Sequence, residues 1–336
     1  MLNTHLTTSA RLRVDVHVRA GSASSLPVDA KRGLTESPKH LPPKHFYDAR
    51  GSRLFDAICE TPEYYPTRTE QALLTSVADQ LMRCHQPTHL VELGSGMARK
   101  TRALLEAGWR AAKQAQRPAP CYVPFDVSES ALRSSAAALL KSYPWLSVHG
   151  VVGDFDRHLD KLPRGNRRLI AFLGGTIGNF EHADAVAFLT RISRGMRPGD
   201  ALLLGTDLVK PKPILDRAYN DCAGLTAEFN LNLLDVMNRE LEADFQVDQF
   251  RHVAFYSEER QRIEMHLESL SRQQVRLKQL DLLVSFEPGE RMLTEVSRKF
   301  TQAGVAELLS AANLERVSWF VPDNQYFALS VARVRS

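Results

Sequence analysis

Thr88-His-Leu-Val-Glu-Leu-Gly-Ser-Gly-Met-Ala-Arg-Lys-Thr-Arg102 decides the fold. Leu90, Val91 and Leu93 make a short apolar run that reads as a buried strand. Gly94 and Gly96 let the chain turn tightly and come close to a ligand, and the stretch from Lys100 through Glu106 reads as a helix start. A strand, a glycine turn and a helix N-terminus make a nucleotide-type cradle, because free N–H groups and the helix dipole face the ligand. Three ligands compete for it. A dinucleotide fingerprint and a phosphate loop both want glycine where Arg99 stands, although Lys100-Thr101 resembles the end of a phosphate loop. An adenosyl cofactor without pyrophosphate suits Glu92-Leu-Gly-Ser-Gly96, since the second glycine then admits only an adenosine and an amino-acid tail.

On the C-terminal side of this turn the strand–helix alternation is regular. Cys121 to Asp126 is a strand ending in a carboxylate placed to take ribose hydroxyls, or to cap the helix that begins near Glu129, a job Ser128 can do instead. Val148 to Val152 is a third strand, followed by Asp154, suited to the adenine amino group, and Phe155, suited to stack on the ring. Leu169 to Leu173 is apolar throughout, as a central parallel strand should be, and runs into Gly174-Gly-Thr-Ile-Gly-Asn179-Phe. Glycines at such a strand end mark a close backbone approach to a ligand, and the Asn179 amide suits a carboxylate or an amine. Ala201 to Asp207 is a fifth strand. Repeated βα units argue an open parallel α/β sheet.

The flanks read differently. Residues 1–33 are expected to be a mobile arm holding one short strand (Leu12, Val14, Val16, Val18), and 34–85 a helical segment that contributes to the substrate site. Within it Thr67 and Glu70 have capping-box spacing, and Arg53 to Cys59 is a short helix. Residues 86–209 form the core. Residues 210–290 read as an inserted α+β domain, helical to Leu241 and then alternating, with Arg260, Arg262 and Glu264 on a solvated face. Residues 291–336, a helix and a β-hairpin, complete the core.

Composition excludes several classes. The net charge of +4, from 43 basic and 39 acidic residues, leaves no electrostatic footprint for nucleic acid. No run nears the roughly 18 apolar residues of a membrane span. Cys59, Cys84, Cys121 and Cys222 lack C-x-x-C spacing and read as scattered reduced thiols of a cytoplasmic protein, with no metal site.

The motifs FYDARGS, EYYPTRTE, VELGSG with KTR, FDVSES, GDF, FLGGTIGNF, GTDLVKP, AYND with TAEFN, RIEMHLES and TEVSRKF occur in order from about Leu41 to Arg335. Together they resemble the histidine-specific, S-adenosylmethionine-dependent methyltransferases of ergothioneine biosynthesis. Met97-Ala-Arg99 is the departure, and it bears on cofactor affinity. The resemblance implies a Rossmann-like class I methyltransferase sheet with the inserted α+β domain binding substrate. It also implies three methyl transfers to the α-amine of L-histidine by a monomer, with S-adenosylhomocysteine released each time. Gly94, Lys100, Asp126, Asp154 and Phe155 fall on its cofactor positions, Lys100 meeting the methionine carboxylate. Tyr64, Asn179, Tyr219 and Glu295-Val296-Ser297 fall on its histidine positions, with Asn179 and Tyr219 at the backbone end and Glu295 and Ser297 on the two imidazole nitrogens. Tyr47 sits near the amine.

Plain readings stand beside these. Tyr64 also reads as a packing aromatic, and Glu295 with Arg298 as a surface i, i+3 pair. Rival functions are a same-fold methyltransferase for another amino acid or small amine, a non-catalytic adenosyl-binding protein, and a phosphate-loop nucleotidase.

Overall fold

The structure is a computed structural model that describes residues 11–18, 25–96, 98, 100–155 and 157–335. Residues 1–10 and 19–24, Met97, Arg99, Asp156 and Ser336 lie outside the described residues. In chain order the elements are β1 (Leu12–Val16), α1 (Leu26–Thr35), α2 (Ala49–Glu60), α3 (Tyr65–His85), β2 (His89–Leu93), α4 (Arg102–Gln114), β3 (Cys121–Asp126), α5 (Glu129–Ser142) and β4 (Val148–Val152). They continue with β5 (Arg168–Phe172), α6 (His182–Gly195), β6 (Ala201–Asp207), α7 (Lys212–Ala218), α8 (Leu225–Leu241), β7 (Phe250–Ser257), β8 (Arg262–Ser269), β9 (Gln273–Leu277) and β10 (Leu282–Phe286). Last come β11 (Arg291–Arg298), α9 (Gln302–Ala311), β12 (Leu314–Phe320) and β13 (Phe327–Val334).

Eight strands form one sheet in the order β1-β4-β3-β2-β5-β6-β13-β12. The first six are parallel, and β13 and β12 close the far edge antiparallel. Alternate residues face opposite sides. Leu90, Tyr122, Leu169 and Leu203 therefore join Leu74 and Leu81 of α3 and Leu104 of α4 on one face. Val91, Val123, Ile170 and Leu202 join Phe188 and Leu189 of α6 and Leu308 of α9 on the other. Both faces are covered, which is why these strands read as continuous apolar runs. The chain winds outward from β2 through β3 to β4, then returns to lay down β5 and β6 on the opposite side of β2. The crevice at the carboxyl ends of β2 and β5 is the topological switch point, where such sheets bind ligands.

A second body stands over that end. β11-β8-β7 form an antiparallel sheet and β10-β9 a hairpin. Ile263, Met265, Leu267, Phe286 and Met292 share one apolar core with Leu233 and Met237 of α8, and also with Leu26, Ala30, Phe46 and Ile58 from the N-terminal segment.

Three sequence expectations change here. The described part of 1–33 is not a free arm: β1 pairs in register with β4, and Leu26 and Ala30 of α1 are fully buried. The substrate-side body does not end at 290, because β11 pairs with β8 from Arg291↔Glu268 to Arg298↔Arg262. The solvated face is partly wrong: Arg262 is buried, paired at 2.8 Å with Glu264 and at 2.5 Å with Glu181 before α6, so it ties the two bodies together. No helix among the described residues is long and apolar enough to cross a membrane.

Candidate active site

The glycine turn after β2 has the shape its sequence predicts. Gly94 and Gly96 take φ of 72° and 46°, and a Cβ added at Gly96 would meet none of the described residues within 4 Å, so the turn is open toward them. Asp126, at the end of β3, closes one side of it. One carboxylate oxygen accepts the Gly96 N–H at 3.0 Å and the other the Ser128 N–H at 3.0 Å. Ser128 is the N-cap of α5, its hydroxyl accepting the Ala131 N–H at 3.3 Å. Asp126 is thus released from capping and held at the mouth of the turn. Phe155, after β4, stacks on Phe125 at 5.4 Å, and its ring comes within 3.5 Å of where a Gly94 Cβ would stand. Asp154 precedes it, its N–H donating to His158 Nδ1 at 3.0 Å. Gly94, Asp126 and Phe155 therefore border one cradle.

Lys100 sits on its far side. Its ammonium donates to Glu70 of α3, a carboxylate with no exposed surface, which also accepts the Gly174 N–H at 2.7 and 2.9 Å. The capping box expected of Glu70 is not formed. α3 begins earlier, at Tyr65, with Pro66 in its first turn, and the Thr67 hydroxyl donates to Cys59 Sγ at 3.2 Å. Released from the helix end, Glu70 points into the sheet and joins the turn after β2 to the turn after β5. Glu92, wholly enclosed, is pushed up to about 7 by burial against the opposing hydrogen bonds from Thr101 and Tyr122.

The turn after β5 carries the neighbouring site. Thr176–Asn179 is a single 3-10 turn, and Gly178 lies against β11: a Cβ there would stand 2.9 Å from the Arg298 carbonyl oxygen. Only glycine admits this approach, and it brings the second body onto the end of the parallel sheet. Along β11, Glu295 and Ser297 are two apart and share one face. Val296 projects to the other face, so only its backbone lies between them. Arg298, three from Glu295 on a strand, is likewise on the opposite face, which removes the helical surface-pair reading.

Around that face stand Asn179 and three tyrosines. Asn179 lines a cavity of about 430 Å³ with Glu295, Val296, His40 and Asp184, to which neither Ser297 nor any of the three tyrosines contributes. Tyr47, Phe55, Tyr64 and Tyr219 follow one another edge to face, with ring centres 5.6, 6.0 and 6.2 Å apart. Tyr47 is 47 % exposed, its phenol raised by the protein around it and by the Glu295 charge. Glu295 accepts no hydrogen bond from the described residues; burial pushes its carboxyl up to about 7, and the Lys299 ammonium opposes this. A half-buried, unpaired acceptor of this kind is poised for a donor from a ligand.

Beneath it lies a network that sequence reading missed. Asp207, at the end of β6, binds Lys299 at 2.8 Å, Lys210 at 2.5 Å and the Tyr65 hydroxyl at 2.7 Å. Burial would raise its carboxyl, but the two ammonium groups hold it below the ordinary carboxylate range. Burial pulls Lys210 down to about 8, whereas Asp207 keeps Lys299 above the usual lysine range despite burial. Lys299 also donates to Ser297 Oγ at 2.8 Å and to the Tyr219 hydroxyl at 3.2 Å, and Tyr219 donates to Ser297 at 2.9 Å. Tyr219, expected at the backbone end of the substrate, thus has its hydroxyl joined to Ser297. GTDLVKP and TEVSRKF contain these charges, but nothing in their spacing shows that Asp207 and Lys299 meet.

Residues 26–334 match the family described as "Histidine-specific methyltransferase, SAM-dependent". The chain is 49 % identical over 304 residues to the histidine N-alpha-methyltransferase of Mycobacterium tuberculosis, covering 90 % of this chain and 93 % of that one. It is 48 % identical over 311 residues to the histidine N-alpha-methyltransferase of Mycolicibacterium smegmatis, covering 93 % and 95 %. It is 31 % identical over 319 residues to ergothioneine biosynthesis protein 1 of Neurospora crassa, covering 89 % of this chain and 34 % of that one.

Proposed function

The chain belongs to the histidine-specific, S-adenosylmethionine-dependent methyltransferases, and from that premise we propose that it transfers three methyl groups in succession to the α-amine of L-histidine. The end product is N,N,N-trimethylhistidine (hercynine), the first step of ergothioneine biosynthesis. The observation that carries this reading is the packing of β11, which carries Glu295 and Ser297 on one face, against the glycine turn after β5.

The cradle fits S-adenosylmethionine. Gly94 and Gly96 leave an open turn, Asp126 offers a carboxylate to the ribose, Asp154 and Phe155 border the adenine side, and Lys100 offers an ammonium to the methionine carboxylate. Bound there, the sulfonium supplies an electrophilic methyl group. The protein's task is alignment: Asn179 and Tyr219 fix the amino-acid end with Tyr64 beside them, Tyr47 stands near the amine, and Glu295 and Ser297 hold the ring, so that the nitrogen lone pair meets the methyl carbon in line. Mono- and dimethylhistidine still lose a proton and present a lone pair, whereas the trimethylated nitrogen has none, so transfer stops at three. The substrate-side body comprises the N-terminal helices with residues from α7 through β11, acting within a monomer in the cytoplasm.

Mass spectrometry of histidine incubated with protein and methyl-labelled donor tests this directly. Mass gains of one, two and then three methyl groups are expected; a panel of other amino acids outcompeting histidine would overturn it. Activity is expected to rise with pH. The attacking amine must lose its proton, and Glu295, near 7, accepts a ring N–H best when ionised. The KM for histidine should fall as pH rises through about 7, and kcat/KM should climb further as the amine titrates; a flat or falling profile from pH 6 to 9 contradicts the assignment.

A further inference from the structure

We propose that Lys299 is a positioning residue for substrate selection: by saturating the acceptor side of the Ser297–Tyr219 hydroxyl pair, it makes Ser297 a hydrogen-bond donor toward the ligand, so that the site accepts a neutral imidazole in a single tautomer. This rests on the assignment of Glu295 and Ser297 to the ring.

Lys299 is 3 % exposed, and an ammonium has three donors and no acceptor. Its three partners are Asp207 at 2.8 Å, Ser297 Oγ at 2.8 Å and the Tyr219 hydroxyl at 3.2 Å, so every N–H is used. Tyr219 and Ser297 lie 2.9 Å apart, and one of their two hydroxyl hydrogens occupies that contact. A phenol is more acidic than an alkyl hydroxyl and is the better donor, so the hydrogen between them belongs to Tyr219. Ser297 Oγ then accepts twice, from Lys299 and from Tyr219, and both lone pairs are taken. Its own hydrogen has no acceptor within the network and must point to the ligand.

Glu295, two residues earlier on the same face, is an acceptor. The two side chains thus demand opposite things of a ring: one nitrogen with a hydrogen, the other with a lone pair. A neutral imidazole meets both. An imidazolium offers two hydrogens, one to Glu295 and the second set against the Ser297 hydrogen. A benzene or indole ring leaves the serine donor unmatched, and a site built on such bonds rejects the side chain that cannot complete them. Asp207 is integral to this arrangement, because it holds the ammonium beneath the hydroxyls rather than in the cleft. Lys210, also on Asp207, bonds to neither hydroxyl; its bonds go to Asp207, to Tyr65 at 2.8 Å and to the Leu208 carbonyl.

Two measurements test the inference. In the wild-type protein saturated with S-adenosylhomocysteine, ¹⁵N-labelled histidine at pH 7.5 is expected to show one protonated and one unprotonated ring nitrogen in a single tautomer. Two protonated nitrogens, or a mixture of tautomers, would overturn the proposal without any variant having to fold. In the Lys299→Met variant the serine hydrogen gains an internal acceptor in the vacated tyrosine oxygen. The KM for histidine should then rise about tenfold. The preference in kcat/KM for histidine over a pyrrole analogue, which keeps the N–H and replaces the accepting nitrogen by C–H, should narrow by about tenfold, with S-adenosylmethionine binding retained. Ser297→Ala separates the layers. If it narrows that preference and Lys299→Met does not, the role of Lys299 is refuted; if Ser297→Ala leaves the preference intact, the assignment of Ser297 to the ring fails first.

Discussion

Glu295→Ala is expected to raise the KM for histidine about a hundredfold while the Kd for S-adenosylmethionine changes by less than about twofold. A hydrogen bond to a charged group contributes about 1.5–3 kcal/mol, which spans roughly ten- to over a hundredfold, and here the acceptor has no competing partner among the described residues. The cofactor cradle is built from different elements, the turns after β2, β3 and β4, so the two affinities should separate. Stability gives an independent check. The Glu295 carboxyl is pushed up to about 7 by burial. Its contribution to folding is therefore fully present below the ordinary glutamate range and is lost as pH rises through about 7, where the buried group must ionise. Above that pH, alanine removes a strained charge, so the variant should melt no lower than wild type at pH 8 while binding histidine far worse. Glu295→Gln should fall between, because its amide still accepts a hydrogen bond but carries no charge. Isothermal titration with each ligand decides the matter: equal loss of histidine and cofactor affinity would mean that Glu295 supports the fold rather than the ring.

How much of this is legible in the sequence depends on distance along the chain. The parallel strands are legible because each is a short apolar run closed by a turn, and β2 through β6 fall within a residue or so of their expected places. Asp126 and the glycine turn are legible because a strand end and the helix after it are local features. Glu295 and Ser297 are different. Their residue types alone fit a surface pair, and only the resemblance singled them out; β11 then puts them on one face because it pairs with β8, thirty residues earlier. Glu70 shows the limit most plainly. Its spacing from Thr67 satisfies a helix-capping pattern, yet the Pro66 turn starts the helix sooner and leaves the carboxylate buried between two distant strand ends. The buried Asp207–Lys299 pair is 92 residues apart in number and 2.8 Å apart in space, and no periodicity encodes such a meeting.

Lys100→Ala is expected to weaken S-adenosylmethionine binding about a hundredfold and to lower the stability of the unliganded protein. In the structure the Lys100 ammonium is 20 % exposed and paired with Glu70, which is fully buried and also accepts the Gly174 N–H. Removing one partner of a buried pair typically costs about 3–5 kcal/mol, because the other charge is left without compensation. The partial exposure of Lys100 puts this case toward the low end, since water reaches the ammonium side of the pair. Loss of stability alone would weaken binding only indirectly, so a second variant is needed to show what the ammonium does. Glu70→Gln keeps an acceptor for the Gly174 N–H and leaves Lys100 without its carboxylate. If Lys100 is the group that meets the methionine carboxylate, the cofactor no longer competes with Glu70 for it, and affinity should hold or tighten. If the pair instead serves only to join the turns after β2 and β5, both variants should loosen those turns, and both should weaken S-adenosylmethionine binding in proportion to the stability lost. Thermal melts with and without cofactor separate the outcomes: Lys100→Ala should lose most of the melting shift that S-adenosylmethionine produces, while Glu70→Gln should retain it.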